Sequence, residues 1–520
     1  MSEKVKKKKL TLLDRVEKVG NALPHPATIF LILSVVIVVL SAILSSAGIS
    51  VTYEGINRAN NNAVEMMTVT VNSLLSKEGV QYLFNSAVTN FTGFAPLGTV
   101  LVALLGVGLA EGTGLIGALL KKLVMSTPRR LITVVIVLAG VLSSIASDAG
   151  YVVLIPLGAI IFLSMGRHPM AGLAAAFAGV SGGFSANIMV GPTDSLLAGL
   201  TTEGAKLVDP NYVVGIQANW WFLIASTILI TVIGTFVTEK IVEPRLGKYT
   251  GDAQVDENEM TMSNAEQRGL RFAGIATLLT VLGFVGLVAP ANGYLRGTEE
   301  GVQGILNSPF MNSMVVVIAL LFAIAGIAYG FGAKVVKNDK DIMGLMGKSM
   351  SSMGSYIVLV FFASQFVAYF NYSNLGTIIA VKGADILKAI GLQGIPLVIL
   401  FIFVVAFINL FMGSASAKWA ILAPVFVPML MEVGFTPEFT QMAYRIGDSS
   451  TNLISPLMSY FALIVTFAAK YDKKAGIGTL VSTMVPYSLA LLIGWAALLI
   501  VWFVFNLPLG PGVSIFLPGF

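Results

Sequence analysis

Six ionisable side chains interrupt otherwise apolar stretches of the sequence: Glu111, Asp148, Asp194, Lys418, Arg445 and Asp448. A charge at bilayer depth is costly unless paired or hydrated, so each is a functional candidate. Arg445 and Asp448 are three apart and share a face if that segment is helical. The rigid donor fork of arginine suits a carboxylate, either that of a solute or that of Asp448 itself. Asn409, Ser414, Ser416, Asn187 and Asn452 supply neutral oxygens which, with Asp448, could hold a small hard cation such as sodium. Taken singly, each of these residues reads as a cap on a half-helix; taken as a set, they read as an ion site.

The other candidates are also open to two readings. Trp419 offers a flat apolar face and one N–H donor, for stacking on an aromatic solute or for local packing. Lys418 beside it could snorkel outward or satisfy carbonyls. Asp194 follows Gly191-Pro192-Thr193, where a helix restarts, and could favour that N-terminus, carry a proton or contact a substrate. Asp148 has the same alternatives, and Glu111 reads as a solvated or helix-pairing residue nearer a helix end.

Two alike stretches position these residues. Leu131 to Ser164 is apolar except around Ser147-Asp148-Ala149-Gly150-Tyr151, and Ile395 to Met431 breaks at Asn409 to Trp419. Each arm is about 15 residues, roughly 22 Å of helix and too short for a hydrocarbon core of about 30 Å. A helical hairpin that enters the bilayer and turns at its polar tip fits, provided protein or a wet cavity covers the turn.

The 520 residues are 56% hydrophobic and 11% charged, with a mean hydropathy of +0.85. This composition indicates a polytopic, all-α membrane protein. Cysteine is absent, which excludes disulfides and thiolate metal sites. His25 and His168 each precede a proline at a span edge and read as structural. The expected organisation is a basic cytoplasmic N-terminus (1–25) and a first half (26–246) with a hairpin at about 127–166 and a broken helix at about 170–200. A cytoplasmic loop (247–269), connecting spans (270–333), a second half (349–506) with a hairpin at about 395–434 and a broken helix at about 437–469, and a tail (507–520) follow.

Nine crossings and two re-entrant hairpins place 24 of the 32 Lys and Arg on one side, 6 on the other and 2 within the membrane. By the positive-inside rule the N-terminus is then cytoplasmic and the C-terminus periplasmic. The net charge of +5 needs no nucleic-acid partner, because topology accounts for it. The two hairpins enter from opposite sides. Placing Pro156 opposite Pro424 sets Asp148 against Ser416 and Tyr151 against Trp419, and Ser185-Ala186-Asn187 lies beside Ser450-Thr451-Asn452. An inverted pair of broken helices points to a site near the bilayer midplane, where half-helix ends face solute and ion. Gly-xxx-Gly spacings at Gly108/Gly112, Gly179/Gly183 and Gly326/Gly330 permit close helix approach.

Four motifs, Ser147 to Tyr151, Gly191 to Asp194, Gly413 to Trp419 and Tyr444 to Asn452, together with Asn21-Ala22-Leu23-Pro24-His25-Pro26, resemble the AbgT family of p-aminobenzoyl-glutamate transporters over nearly the whole chain. The resemblance implies a homodimer of nine-span, two-hairpin protomers in the bacterial inner membrane, driven by sodium or proton gradients. It implies uptake of p-aminobenzoyl-glutamate and export of p-aminobenzoate and similar sulfonamides. By motif it assigns transport to Asp194, Ser416, Trp419, Arg445 and Asp448, and a sodium site to Asn409 with Asp448, to which the residue types add Asn187 and Asn452. The expectation is therefore a cation-coupled secondary transporter of small aromatic carboxylates, not an enzyme and without a cofactor. The alternatives are an intramembrane aspartyl hydrolase, which needs two facing carboxylates, and a passive anion channel.

Overall fold

The computed structural model describes residues 24, 26–57, 63–146, 150–251, 253, 262–299, 303–306, 308–458, 460–473 and 475–518. Asp148, with Ser147 and Ala149 at the first hairpin tip, lies outside them, as do nearly all of segment 1–25 (including His25) and the centre of loop 247–269.

Helix α1 (Pro26–Ser46) leads into an antiparallel hairpin, β1 (Ser50–Asn57) and β2 (Ala63–Thr70), with Val51 opposite Val69. Residues 50–70 thus form a two-stranded ribbon within a helical fold, around the undescribed 58–62. Its Val and Thr content favours pleated backbone. Asn72 N donates to Ser373 O (3.1 Å) and Asn374 Nδ2 to Thr70 O (2.9 Å), which fastens the ribbon to a distant turn. Helices α2 (Ala95–Gly112) and α3 (Leu115–Met125) form one span bent by 60°, with Gly114 at φ 87° in the bend.

The first hairpin comprises α4 (Ile132–Leu142) and α5 (Ile155–Ser164), the latter entered through a π-turn at Gly150–Leu154. A broken helix follows as α6 (Pro169–Phe177), a second π-turn at Ala178–Gly182, an irregular break, and α7 (Pro192–Ala205). Next come α8 (Trp220–Val237), extended by a third π-turn at Thr238–Val242, then α9 (Asn264–Val288), α10 (Met314–Ala333), α11 (Asp339–Ser352), α12 (Gly354–Tyr372) and α13 (Leu375–Ala389). The second hairpin is α14 (Gly394–Asn409) and α15 (Ala415–Met431), and the second broken helix is α16 (Pro437–Asn452) and α17 (Phe461–Ala469). Helix α18 (Ile477–Val504) follows.

The paired short apolar helices thus cover 132–164 and 394–431, and the interrupted helices cover 169–205 and 437–469. Among the described residues six helices are long and apolar enough to cross a bilayer, seven with the bent pair, and nine crossings require the two broken helices as well. Helices α11 and α13 lie between the longer apolar helices. The Asn338–Asp341 capping box starts α11, a signal the sequence carries in plain form.

Every residue of α16 is buried, although the helix is largely polar. Helices α14, α15, α18 and α7 pack around it. Glycine permits the closest approaches in both halves: a Cβ on Gly447 of α16 would meet Ile402 O of α14 at 2.5 Å, and one on Gly179 would meet Val137 O of α4 at 2.3 Å. Gly326 meets Ala110 backbone in the same way, so these small-residue stripes are packing surfaces. Helix α9 lies at the periphery: only 6% of its apolar window is buried, and Phe272, Ile275, Leu279 and Leu282 form an exposed stripe.

Candidate functional site

Arg445 and Asp448 lie one turn apart on α16, at 2% and 1% exposure. They do not pair with each other. Arg445 Nη2 sits 2.6 Å from Asp194 Oδ1 on α7, and Asp448 Oδ1 sits 2.5 Å from Lys418 Nζ on α15. Helices α7 and α15 both press on α16, and cross-helix partners displace the weaker i,i+3 contact. Each of these two carboxylates therefore faces a cation rather than a second carboxylate.

Asp194 serves two purposes. Its Oδ2 accepts from Gly191 N at 2.7 Å and so opens α7 after Pro192, while Oδ1 holds Arg445. The guanidinium is not exhausted by this contact: Nε of Arg445 is buried and has no hydrogen-bond partner among the described residues. Asp194, Arg445 and Asn187 line a recess of about 10 Å³, on the order of one water molecule. Phe184 and Thr193 line both this recess and a larger cavity of about 300 Å³.

The larger cavity lies between the two halves. Tyr151 comes from the first hairpin, Phe184 and Leu197 from the first broken helix, Ser416 from the second hairpin tip, and Asn452 and Tyr460 from the second broken helix. Tyr151 and Tyr460 stack at 4.6 Å with planes 9° apart. A volume of this size, mostly apolar with a few converging polar groups, suits a small organic solute.

Trp419 is not part of that lining. It is fully buried, stacks on Tyr444 at 4.4 Å, and donates from Nε1 to Thr201 Oγ1 at 2.9 Å. Tyr444 in turn donates to Ala415 O at 2.6 Å, so the pair clamps the hairpin tip to α16 and α7. In this conformation Trp419 packs wholly within the protein. The aromatic wall of the cavity comes instead from Tyr151, which the repeat aligns with Trp419.

The proposed cation ligands divide into two groups. Asn409 Nδ2 donates to Asp448 O (2.6 Å), Thr451 Oγ1 (2.9 Å) and Asn452 Oδ1 (2.9 Å), which joins three of the four. Asn187 stands apart at the first hairpin, donating to Ser144 Oγ (2.8 Å) and accepting from Ile188 N (2.8 Å). Each asparagine thus ties a broken helix to the end of its own hairpin's first arm, consistent with the inverted repeat. The oxygens around Asn409 and Asp448 are of the type hard cations take, and in this conformation a lysine ammonium stands among them. The Lys418 ammonium already binds Asn409 Oδ1 and Asp448 Oδ1, and lies 3.2 Å from Met412 O.

Two further groups escaped sequence reasoning. Glu438, buried at the start of α16, accepts from Tyr212 Oη at 2.9 Å. Its position after Thr436-Pro437 reads as an ordinary acidic first turn. Gln441 donates to Thr201 Oγ1 (2.7 Å) and accepts from Asn219 Nδ2 (2.9 Å), linking the halves without a charged residue to flag it.

Comparison with known proteins agrees with this architecture. A family model described as the AbgT putative transporter family matches residues 11–517. The p-aminobenzoyl-glutamate transport protein of Escherichia coli (strain K12) is 40% identical over 498 residues, 96% of each chain. The YdaH transporter of Alcanivorax borkumensis superposes with a TM-score of 0.87 at 46% identity, covering 94% of this chain and all (100%) of that one. MtrF of Neisseria gonorrhoeae, which belongs to a class of antimetabolite efflux pumps, gives 0.90 at 50% identity, covering 97% and 100%. These relatives are named as transporters rather than enzymes, and the chain belongs to the AbgT transporter family.

Proposed function

We propose that the chain is a cation-coupled secondary transporter of aromatic carboxylates of the p-aminobenzoyl-glutamate and p-aminobenzoate type, working as a homodimer in the bacterial inner membrane. The N-terminus is cytoplasmic and the C-terminus periplasmic in this reading, which the lysine and arginine bias supports. Sulfonamide antimetabolites, as analogues of such substrates, are further cargo. The observation that carries the substrate class is the buried Nε of Arg445, without a hydrogen-bond partner among the described residues, in a recess that shares Phe184 and Thr193 with the cavity walled by Tyr151 and Tyr460. A carboxylate completes the guanidinium's hydrogen bonding and the benzoyl ring lies against the tyrosines. The match to the Escherichia coli transport protein and to MtrF supports both cargo classes.

Opposed hairpins with broken partner helices support alternating access, and sodium or a proton is the coupling ion. The apolar outer face of α9 is the proposed dimer surface. In proteoliposomes, flux of radiolabelled p-aminobenzoyl-glutamate or p-aminobenzoate depends on an imposed sodium or proton gradient. Flux that persists unchanged when both gradients are collapsed refutes coupling and favours a passive channel.

A further inference from the structure

We propose that the Lys418 ammonium is a tethered cation occupying the seat of a sodium ion on Asp448, so that sodium and this lysine compete for one site. The inference rests on the reading that a cation is carried at α16.

Three oxygens converge on Nζ: the side-chain carbonyl of Asn409, the carboxylate of Asp448 and the backbone carbonyl of Met412. A carboxylate, an amide and a backbone carbonyl form a hard-cation donor set, whereas an ammonium asks only for three acceptors in loose geometry. The amide of Asn409 is fixed, because its nitrogen is committed to Asp448 O, Thr451 and Asn452, and its oxygen therefore stays turned into the seat. Asp448 also keeps Oδ2 buried without a hydrogen-bond partner among the described residues. One carboxylate oxygen satisfied and one unused is the pattern of a ligand that can hold a cation bidentately. Sodium and the ammonium on one buried carboxylate would leave a net positive charge and repel each other with little screening, so each weakens the other's hold.

The tether couples the seat to the hairpin. Lys418 lies in the first turn of α15, between Ser416, which lines the large cavity, and Trp419, which clamps the tip to Tyr444. The ammonium is 1% exposed and is held between the Met412 carbonyl at the tip and Asp448 of α16. Exchange of lysine for sodium therefore moves the tip that covers the cavity.

The test uses full-length protein purified in detergent, with thermal unfolding followed in sodium chloride and in choline chloride at equal ionic strength. Lys418→Gln is expected to show sodium-specific stabilisation, half-saturating at a sodium concentration at least tenfold below that of the parent. If Lys418→Gln fails to accumulate without sodium, purification in sodium rescues it and choline does not. Lys418→Gln/Asp448→Asn, which removes both charges, folds and loses the sodium response. Equal responses in parent and Lys418→Gln, no response in Lys418→Gln, failure to fold in both salts, or a response retained in the double variant would each overturn the proposal. The readout is equilibrium binding, so it stands or falls separately from gradient-driven flux.

Discussion

Replacing Arg445 by Gln and Asp194 by Asn, singly and together, separates the structural from the ligand-binding role of their contact. The pair is 2.6 Å apart with side chains 2% and 8% exposed. Removing either partner leaves a buried uncompensated charge, at about 3–5 kcal/mol of stability. The double variant leaves none. The amide oxygen that Asp194→Asn retains still accepts the Gly191 N–H now held by Asp194 Oδ2, so most of the lost stability returns. Ligand affinity behaves differently. A hydrogen bond to a charged group contributes about 1.5–3 kcal/mol, which corresponds to roughly 10- to 150-fold in Kd. The double variant therefore weakens p-aminobenzoate binding by that factor, while benzamide, with no carboxylate, binds it within about threefold of the parent. Isothermal titration of purified protein measures both. A double variant that unfolds within a few degrees of the parent and binds p-aminobenzoate equally well would refute the assignment of Arg445 to the substrate carboxylate.

Tyr151→Leu weakens binding of p-aminobenzoate by about 0.5–1.5 kcal/mol relative to cyclohexanecarboxylate. Trp419→Ala, whose ring is already covered by Tyr444, weakens both ligands alike and costs about 3–5 kcal/mol in unfolding free energy; a selective loss of aromatic ligands would place Trp419 in the site after all. Gly447→Ala drives a Cβ to 2.5 Å from Ile402 O and costs about 1–3 kcal/mol by overpacking, whereas Gly274→Ala, with nothing within 4 Å, is neutral or stabilising in the same thermal assay. His168 caps its helix by accepting from Met170 N through Nδ1, which requires a neutral ring, and burial, opposed by Glu243 and Asp472, holds its pKa below 6.5. Its contribution is complete above pH 6.5 and is lost as pH falls through the lower folded value. The parent therefore loses more thermal stability between about pH 7.5 and 5 than His168→Asn, which caps without titrating.

The parts of this fold that were legible in the sequence were set by length. An apolar arm too short to span, twice, with polar residues between, has few solutions in lipid, and α4/α5 and α14/α15 are that solution. Charged partners were not legible. Spacing ranks neighbours within one helix, so Arg445 pointed to Asp448, whereas both of their partners come from helices that only tertiary packing brings near. Trp419 and Tyr151 occupy matched places in the repeat, yet only Tyr151 lines the cavity, because Tyr444 exists to cover one ring. The three π-turns left no mark in composition, since an extra residue in a turn depends on how neighbours pack.

The two ion pairs buried against α16 are each neutral: Arg445 cancels Asp194, and Lys418 cancels Asp448. A monoanionic passenger entering alone would leave the protein interior with an unbalanced charge on the order of several kcal/mol above its neutral state. One monovalent companion removes that excess, and a passenger with two carboxylates calls for two. On the proposed cation-coupled reading, a carrier loaded in this ratio would cross between the two faces of the bilayer without moving net charge, and its turnover would be indifferent to membrane voltage.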